Sequence, residues 1–232
     1  MTDVRHHFHE ELRLTEAHVQ SMGAAARDLL SKAMRALVAD DAGLCDLTIA
    51  ADDVVDEYYL RTEQRILNLF ALQTPVASDL RLLTVLLHVN IHLERVGDMG
   101  VNIAKLAKLV TGLPRSPTVV AHLEEMGGIA IRMVEAAMDA FARRDLELAY
   151  SLPRMDEPID RLNRGMLDEV LRGADDRRLL EWGIRMSMVS RQIERTGDHA
   201  VDIAEQVAFL ATGEFREFGD ASHPEIGIRG IE

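Results

Sequence analysis

The amino-acid sequence predicts an all-α protein of two pseudo-symmetric three-helix bundles, and three observations predict it. Aromatic residues make up 4% of the chain, against 47% hydrophobic residues overall. Apolar residues recur at helical spacing almost throughout. An eleven-residue stretch returns 100 positions further on. Sheets favour aromatic and β-branched residues, whereas Ala, Leu, Met, Glu and Arg lose little rotamer freedom in a helix, so the composition leans helical before any pattern is read.

Leu12, Val19, Met22, Leu29, Ala33 and Leu37 mark a first long helix, broken by Asp40-Asp41-Ala42-Gly43. A second runs from about Leu44 to Leu72 and carries Leu47, Val54, Tyr58, Ile66 and Leu69. Gln73-Thr74-Pro75 is a start signal: Thr74 caps orphan amides, Pro75 opens the helix where an amide is dispensable, and Asp79 suits the first turn. The third helix continues to about Thr111 and is stopped by Gly112 and Pro114. Arg115-Ser116-Pro117 links the halves. Three further helices follow over about 118–143, 145–172 and 175–212, with turns at Arg143-Arg144-Asp145 and Gly173-Ala174-Asp175. Residues 1–114 thus form a first repeat unit and 115–213 a second, with a loosely ordered tail over 214–232, where Gly, Pro and charge follow without periodicity.

The repeat is the strongest organisational signal. Glu94-Arg95-Val96-Gly97-Asp98-Met99-Gly100-Val101-Asn102-Ile103-Ala104 matches Glu194-Arg195-Thr196-Gly197-Asp198-His199-Ala200-Val201-Asp202-Ile203-Ala204 at seven of eleven positions. Asp52 and Asp56 correspond to Asp156 and Asp160 at an offset of 104, and the four-residue difference is assigned to the hairpin between helices, where length costs little.

The repeat brings carboxylates with it. Residues four apart share a helix face, so Asp52 and Asp56 form one acidic strip and Glu94, Asp98 and Asn102 another. The second unit has Asp156 and Asp160, then Glu194, Asp198 and Asp202. With Glu94 as zero, Asp98 and Asn102 fall near 40° and 80°, while Leu93, Val96, Ile103 and Ala107 cluster between about 180° and 260°, which turns the stripe outward. A solvated face accounts for any single Asp-xxx-Asp pair, since repulsion there is only about 0.2–0.5 kcal/mol. Both strips recur in both units, which favours convergence of four carboxylates on one patch of each. Oxygen-only donors suit hard cations such as Mg²⁺, Mn²⁺, Ca²⁺ or iron. Gly97 and Gly197, mid-helix, either serve tight helix packing or permit a close approach beside the stripe.

Other features narrow the possibilities. Lys+Arg 26 against Asp+Glu 39 gives a net charge of −13, and no basic patch offsets it, so nucleic acid is disfavoured as a partner. Cations or basic surfaces suit that field, although solubility alone also explains it. Cys45, the single cysteine, lies in an apolar-periodic segment and is expected to be a core residue. Met1 to Glu11 has no apolar leader and no run approaches a membrane span, so a soluble, reducing compartment is expected. His6, His7 and His9 are expected on a solvated helix start. His199, beside Asp198, is either a ligand or exposed surface, and His88 and His92 show no evident partner. No Glu-x-x-His pair, phosphate-binding loop, nucleophile elbow or His-Glu-x-x-His motif is present.

Thr74-Pro75-Val76-Ala77-Ser78-Asp79-Leu80-Arg81, followed by Glu94-Arg95-x-Gly97-Asp98-x-x-x-Asn102-Ile103, resembles the signature of the PhoU family, and Glu194-Arg195-x-Gly197-Asp198 repeats its core. The resemblance spans about residues 5–212. It implies two three-helix bundles side by side and a negative regulator of phosphate uptake and phosphate-starvation signalling. Such a regulator is a cytoplasmic adaptor between the ATPase subunit of the phosphate ABC transporter and a sensor histidine kinase. It meets the inner face of the membrane only through partners and is expected as a homodimer. Multinuclear iron or zinc clusters in some members imply metal ligands at Asp52, Asp56, Glu94, Asp98 and Asn102, and at Asp156, Asp160, Glu194, Asp198 and Asp202, with Mg²⁺ or Mn²⁺ also suited. Pro153 and Pro158 depart from the pattern and predict a kinked or late-starting fifth helix and a distorted second site. Asn102 against Asp202 makes the two sites unequal in charge. The leading expectation is a non-enzymatic adaptor. A carboxylate-metal enzyme, such as a metal-dependent phosphohydrolase, and a metal-free structural repeat are the alternatives.

Overall fold

Long amphipathic segments separated by short polar turns fold as helices that hide one face each. The computed structural model describes residues 2–72, 75 and 77–218, and among these it has seven helices and no strand. They are α1 (Thr2–Ala39), α2 (Ala42–Ala50), α3 (Asp52–Leu72), α4 (Ala77–Leu109), α5 (Pro117–Arg143), α6 (Leu146–Leu171) and α7 (Arg177–Thr212). Helices α1, α2–α3 and α4 make one three-helix bundle, and α5, α6 and α7 the other.

The expected second helix is divided at Ala51, whose N–H reaches the carbonyls of both Leu47 (3.2 Å) and Thr48 (3.1 Å). Thr48 Oγ1 donates back to the Leu44 carbonyl at 2.7 Å, a bond that bends helices. The turns repeat as closely as the helices. Asp40 and Arg144, both at φ 57°, end α1 and α5 in the left-handed region. Asp41 and Asp145 then cap α2 and α6, accepting from the N–H of Leu44 (2.9 Å) and Leu148 (3.0 Å). Pro117 opens α5 behind Ser116, whose hydroxyl accepts from Val119 N–H. The cap assigned to Thr74 lies outside the described residues.

Two expectations need correction. The four-residue offset is not carried by the hairpin: α3 continues from Asp56 to Leu72, whereas α6 continues from Asp160 only to Leu171, more than a turn less. Nor does α6 start late. It begins at Leu146 and runs through Pro153 and Pro158 as one helix. Leu152 and Ile159, fully buried beside these prolines, pack the helix down, and tertiary burial outweighs local propensity.

One continuous apolar core runs through both bundles. Leu29, Leu30, Leu86, Leu93 and Ile103 fill the first half; Leu123, Met126, Phe141 and Trp182 fill the second. Each fully buried Leu or Phe contributes about 1.5–3 kcal/mol relative to exposure. The bundles join where α4 packs on α7 and α1 on α5. Cys45 is buried, as expected, and burial first, then Asp41, raises its thiol pKa. Among tail residues, Phe218 donates its N–H to Glu205 Oε1 at 2.6 Å and sets its ring against Tyr150; residues 219–232 lie outside the described residues. No helix among the described residues is long and apolar enough to cross a membrane.

Candidate functional site

One-turn spacing puts Asp156 and Asp160 along α6 and Glu194, Asp198 and Asp202 along α7. The packing of α6 on α7 gathers all five around one groove of about 510 Å³. Glu157 and Glu205 also line it, against only two cationic side chains, Arg164 and Arg191. Gly197 makes the gathering possible: a Cβ there would overlap the Asp156 carboxylate, so its absence lets α6 lay that group on the α7 backbone.

The outward placement read from the helical wheel does not hold for Glu194, which is 8% exposed. The angular stripe is correct, but in a three-helix bundle its first residue falls under the neighbouring helix. Glu194 Oε1 pairs with Arg191, while Oε2 is buried and receives no hydrogen bond. Burial first, then the adjacent Asp198 charge, pushes the Glu194 carboxyl up to about 7 in spite of Arg191. Asp198 is raised too, by partial loss of hydration and then by Asp160, although its exposed surface makes this the weaker perturbation.

In the first bundle Asp56 and Asp98 lie close enough to Asp52 and Glu94 to act on them. Burial and then Asp56 raise the Asp52 carboxyl, and burial and then Asp98 raise that of Glu94. Cations of the chain itself stand over these acids, as Arg191 stands over Glu194 and Arg164 over Asp160 (3.7 Å) in the second bundle. Arg95 pairs with Glu94 (3.4 Å) and Asp98 (3.1 Å), and Lys105 offsets the charge around Asp52. Asn102 is half-buried one turn beyond Asp98. Gly97 faces not an acid but Val55, whose Cγ1 would lie 3.0 Å from an added Cβ. The equivalent glycines therefore serve the two purposes the sequence left open, one each.

Between the bundles a third cluster forms. His92 on α4 and His199 on α7 bring their Nδ1 atoms within 3.3 Å, and each Nδ1 is 3.3 Å from Asp202 Oδ2. Burial lowers the pKa of His92, with Asp202 opposing. His88, one turn back on α4, bonds Gln206 Oε1 at 3.0 Å. Both α4 histidines thus find partners on α7 that the sequence did not suggest.

A buried carboxylate oxygen with no donor, in an oxygen-lined groove with excess negative charge, fits a hard cation. Asp156, Asp160, Glu194, Asp198 and Asp202 line that groove, but among the described residues the set whose ligand atoms already lie within reach of one ion is His92, His199 and Asp202. In the first bundle Asp52, Asp56, Glu94, Asp98 and Asn102 offer a similar donor set, and a cation competes with Arg95 there as it does with Arg191 and Arg164 in the second.

Residues 19–107 and 123–207 each match the family model described as the PhoU domain. The chain belongs to the PhoU family. It is 32% identical over 209 residues to a Rhizobium meliloti protein named phosphate-specific transport system accessory protein PhoU homolog, covering 89% of this chain and 87% of that one. The crystal structure of PhoU from Pseudomonas aeruginosa superposes with a TM-score of 0.85 at 31% identity, covering 89% of this chain and 100% of that one. The phosphate transport system regulatory protein PhoU from Streptococcus pneumoniae gives 0.83 at 26% identity, covering 90% and 99%.

The two PhoU domain matches contain all ten acidic or amide positions singled out in the sequence. Sequence reasoning missed the groove acids Glu157 and Glu205 and the meeting of His92 with His199 and Asp202. The repeat hides that meeting, because His92 aligns with Gln192 and His199 with Met99. The i, i+3 spacing of His199 and Asp202 was the one local sign.

Proposed function

We propose that this chain is a non-enzymatic accessory regulator of phosphate uptake, an adaptor that restrains phosphate-starvation signalling when phosphate is plentiful. It links the ATPase subunit of a phosphate ABC transporter to a sensor histidine kinase, in the cytoplasm and at the inner face of the membrane through those partners. Residues 1–114 and 115–213 are its two repeat units. The phosphate transport accessory names of its relatives support the reading. The observation that carries it is an α6–α7 groove in which seven carboxylates face two arginines. Such a surface attracts divalent cations or basic side chains of a partner, and its field speeds the encounter.

Both acidic faces take divalent cations in this proposal, as Mg²⁺, Mn²⁺, iron or zinc, through the ten residues named above. Leu167 and Leu171 on α6 and Ile184 and Met188 on α7 are exposed apolar pairs at one-turn spacing, which supports a homodimer covering them. The test is a pull-down from phosphate-replete cells with metal measured on the same sample, paired with deletion. The expected result is recovery of the transporter ATPase or the kinase, and raised phosphate-scavenging expression without the chain. A deletion that leaves that expression repressed would overturn the regulatory role.

A further inference from the structure

We propose that His92, His199 and Asp202 form a site for a divalent first-row transition ion, best suited to Zn²⁺, that clasps the two bundles together. The inference goes beyond the accessory role and does not rest on it.

The argument begins with the triangle. Two imidazole nitrogens and one carboxylate oxygen stand at its corners, each pair 3.3 Å apart. Tetrahedral zinc bound at about 2.0–2.1 Å places neighbouring ligand atoms about 3.3–3.4 Å apart, so the triangle has the size of one face of that tetrahedron. A single proton shared among the three atoms satisfies one edge and leaves another with lone pair against lone pair. An ion above the face satisfies all three. Binding through Nδ1 places the ring proton of His199 on Nε2, which is buried with no hydrogen-bond partner, so the ion must offset that cost as well.

Ligand type separates this site from the acidic grooves. Imidazole suits Zn²⁺ and its neighbours, whereas Mg²⁺ and Ca²⁺ take oxygen. The placement gives the ion a structural consequence, because His92 lies on α4 of the first bundle and His199 and Asp202 on α7 of the second. Three protein ligands leave a fourth position for water or an incoming group.

Co²⁺ titration of the metal-free full-length chain tests the proposal, because four-coordinate Co²⁺ absorbs intensely in the visible and six-coordinate Co²⁺ only weakly. The expected result is one equivalent of intense absorption, displaced by Zn²⁺ and lost in His92→Ala and in His199→Ala. It persists in Asp98→Asn, in Glu194→Gln and in a variant with His6, His7 and His9 changed to Ala. Should either alanine variant fail to fold, His92→Gln, which copies the aligned Gln192, replaces it, and the Zn²⁺-induced rise in melting temperature seen in the wild type must vanish. Intense absorption that survives loss of His92 or His199 overturns the proposal. So does weak absorption alone, which means that only the carboxylate grooves take the ion, and in that case the cation reading of those grooves still stands.

Discussion

Glu194 is a buried acid whose ionisation the fold opposes, and Glu194→Gln isolates it. The folded carboxyl titrates near 7 instead of 4.5, so between those values the folded chain holds a proton that the unfolded chain has released. The stabilising contribution is full below about pH 4.5, falls as pH rises, and is gone above about pH 7. A shift of that size corresponds to on the order of 3 kcal/mol. Gln keeps the shape and cannot ionise. The lost pair with Arg191, whose side chain is largely exposed, is worth at most about 1 kcal/mol and forms only as Glu194 ionises, so its effect is already contained in the value near 7. Urea unfolding in EDTA, repeated from pH 5 to 8, reads the difference. The wild type should lose stability across the range, and the variant should lose markedly less. Some decline remains, because Glu205, buried and likewise raised to about 7, contributes with the same sign. Added Mn²⁺ should flatten the wild-type curve by stabilising the ionised groove. Parallel declines in the two proteins would refute the account.

Gly97→Ala and Gly197→Ala should part company although the residues are equivalent. The first presses a methyl of Val55 and gains about 1 kcal/mol of helix propensity, so its urea midpoint should barely move, whereas the second overlaps Asp156 and should cost about 1–3 kcal/mol and weaken Mn²⁺ uptake by the α6–α7 groove. Arg95→Ala removes the cation paired with Glu94 and Asp98, so calorimetry should show tighter Mn²⁺ binding in the first bundle; unchanged binding there would mean that Arg95 does not compete. Trp182, the single tryptophan, is fully buried between helices, and Trp182→Ala should lower stability by about 3–5 kcal/mol, read by far-UV circular dichroism.

What the sequence could disclose follows from what is local. Helix periodicity, the turns at Asp40-Asp41 and Arg144-Asp145 and the break before α5 are short-range, and the structure has them. The late start suggested by the α6 prolines did not follow, because their local penalty is visible in sequence while the burial of Leu152 and Ile159 is tertiary. The acidic strips were legible as strips. Which cations compensate them was not, since Arg95 follows Glu94 just as Arg195 follows Glu194, yet Arg95 pairs with Glu94 and Asp98 while in the second bundle Arg191 pairs with Glu194 and Arg164 with Asp160. The histidine cluster was the least legible feature, because its partners are separated by more than a hundred residues and meet only where α4 crosses α7.

Duplication explains the likeness of the bundles, and divergence explains their chemistry. Asn102 and Asp202 occupy the same place in the repeat, but the carboxylate at 202 does two things that an amide at 102 cannot. It adds charge to a groove already short of cations, and it supplies the anionic corner of the triangle with His92 and His199. Asp202 therefore stands in both the acidic groove and the seam between bundles. In the proposals above, a cation or basic partner drawing on Asp202 from the groove would compete with the histidines for the same oxygen, which would link the acidic face to the seam through a single side chain.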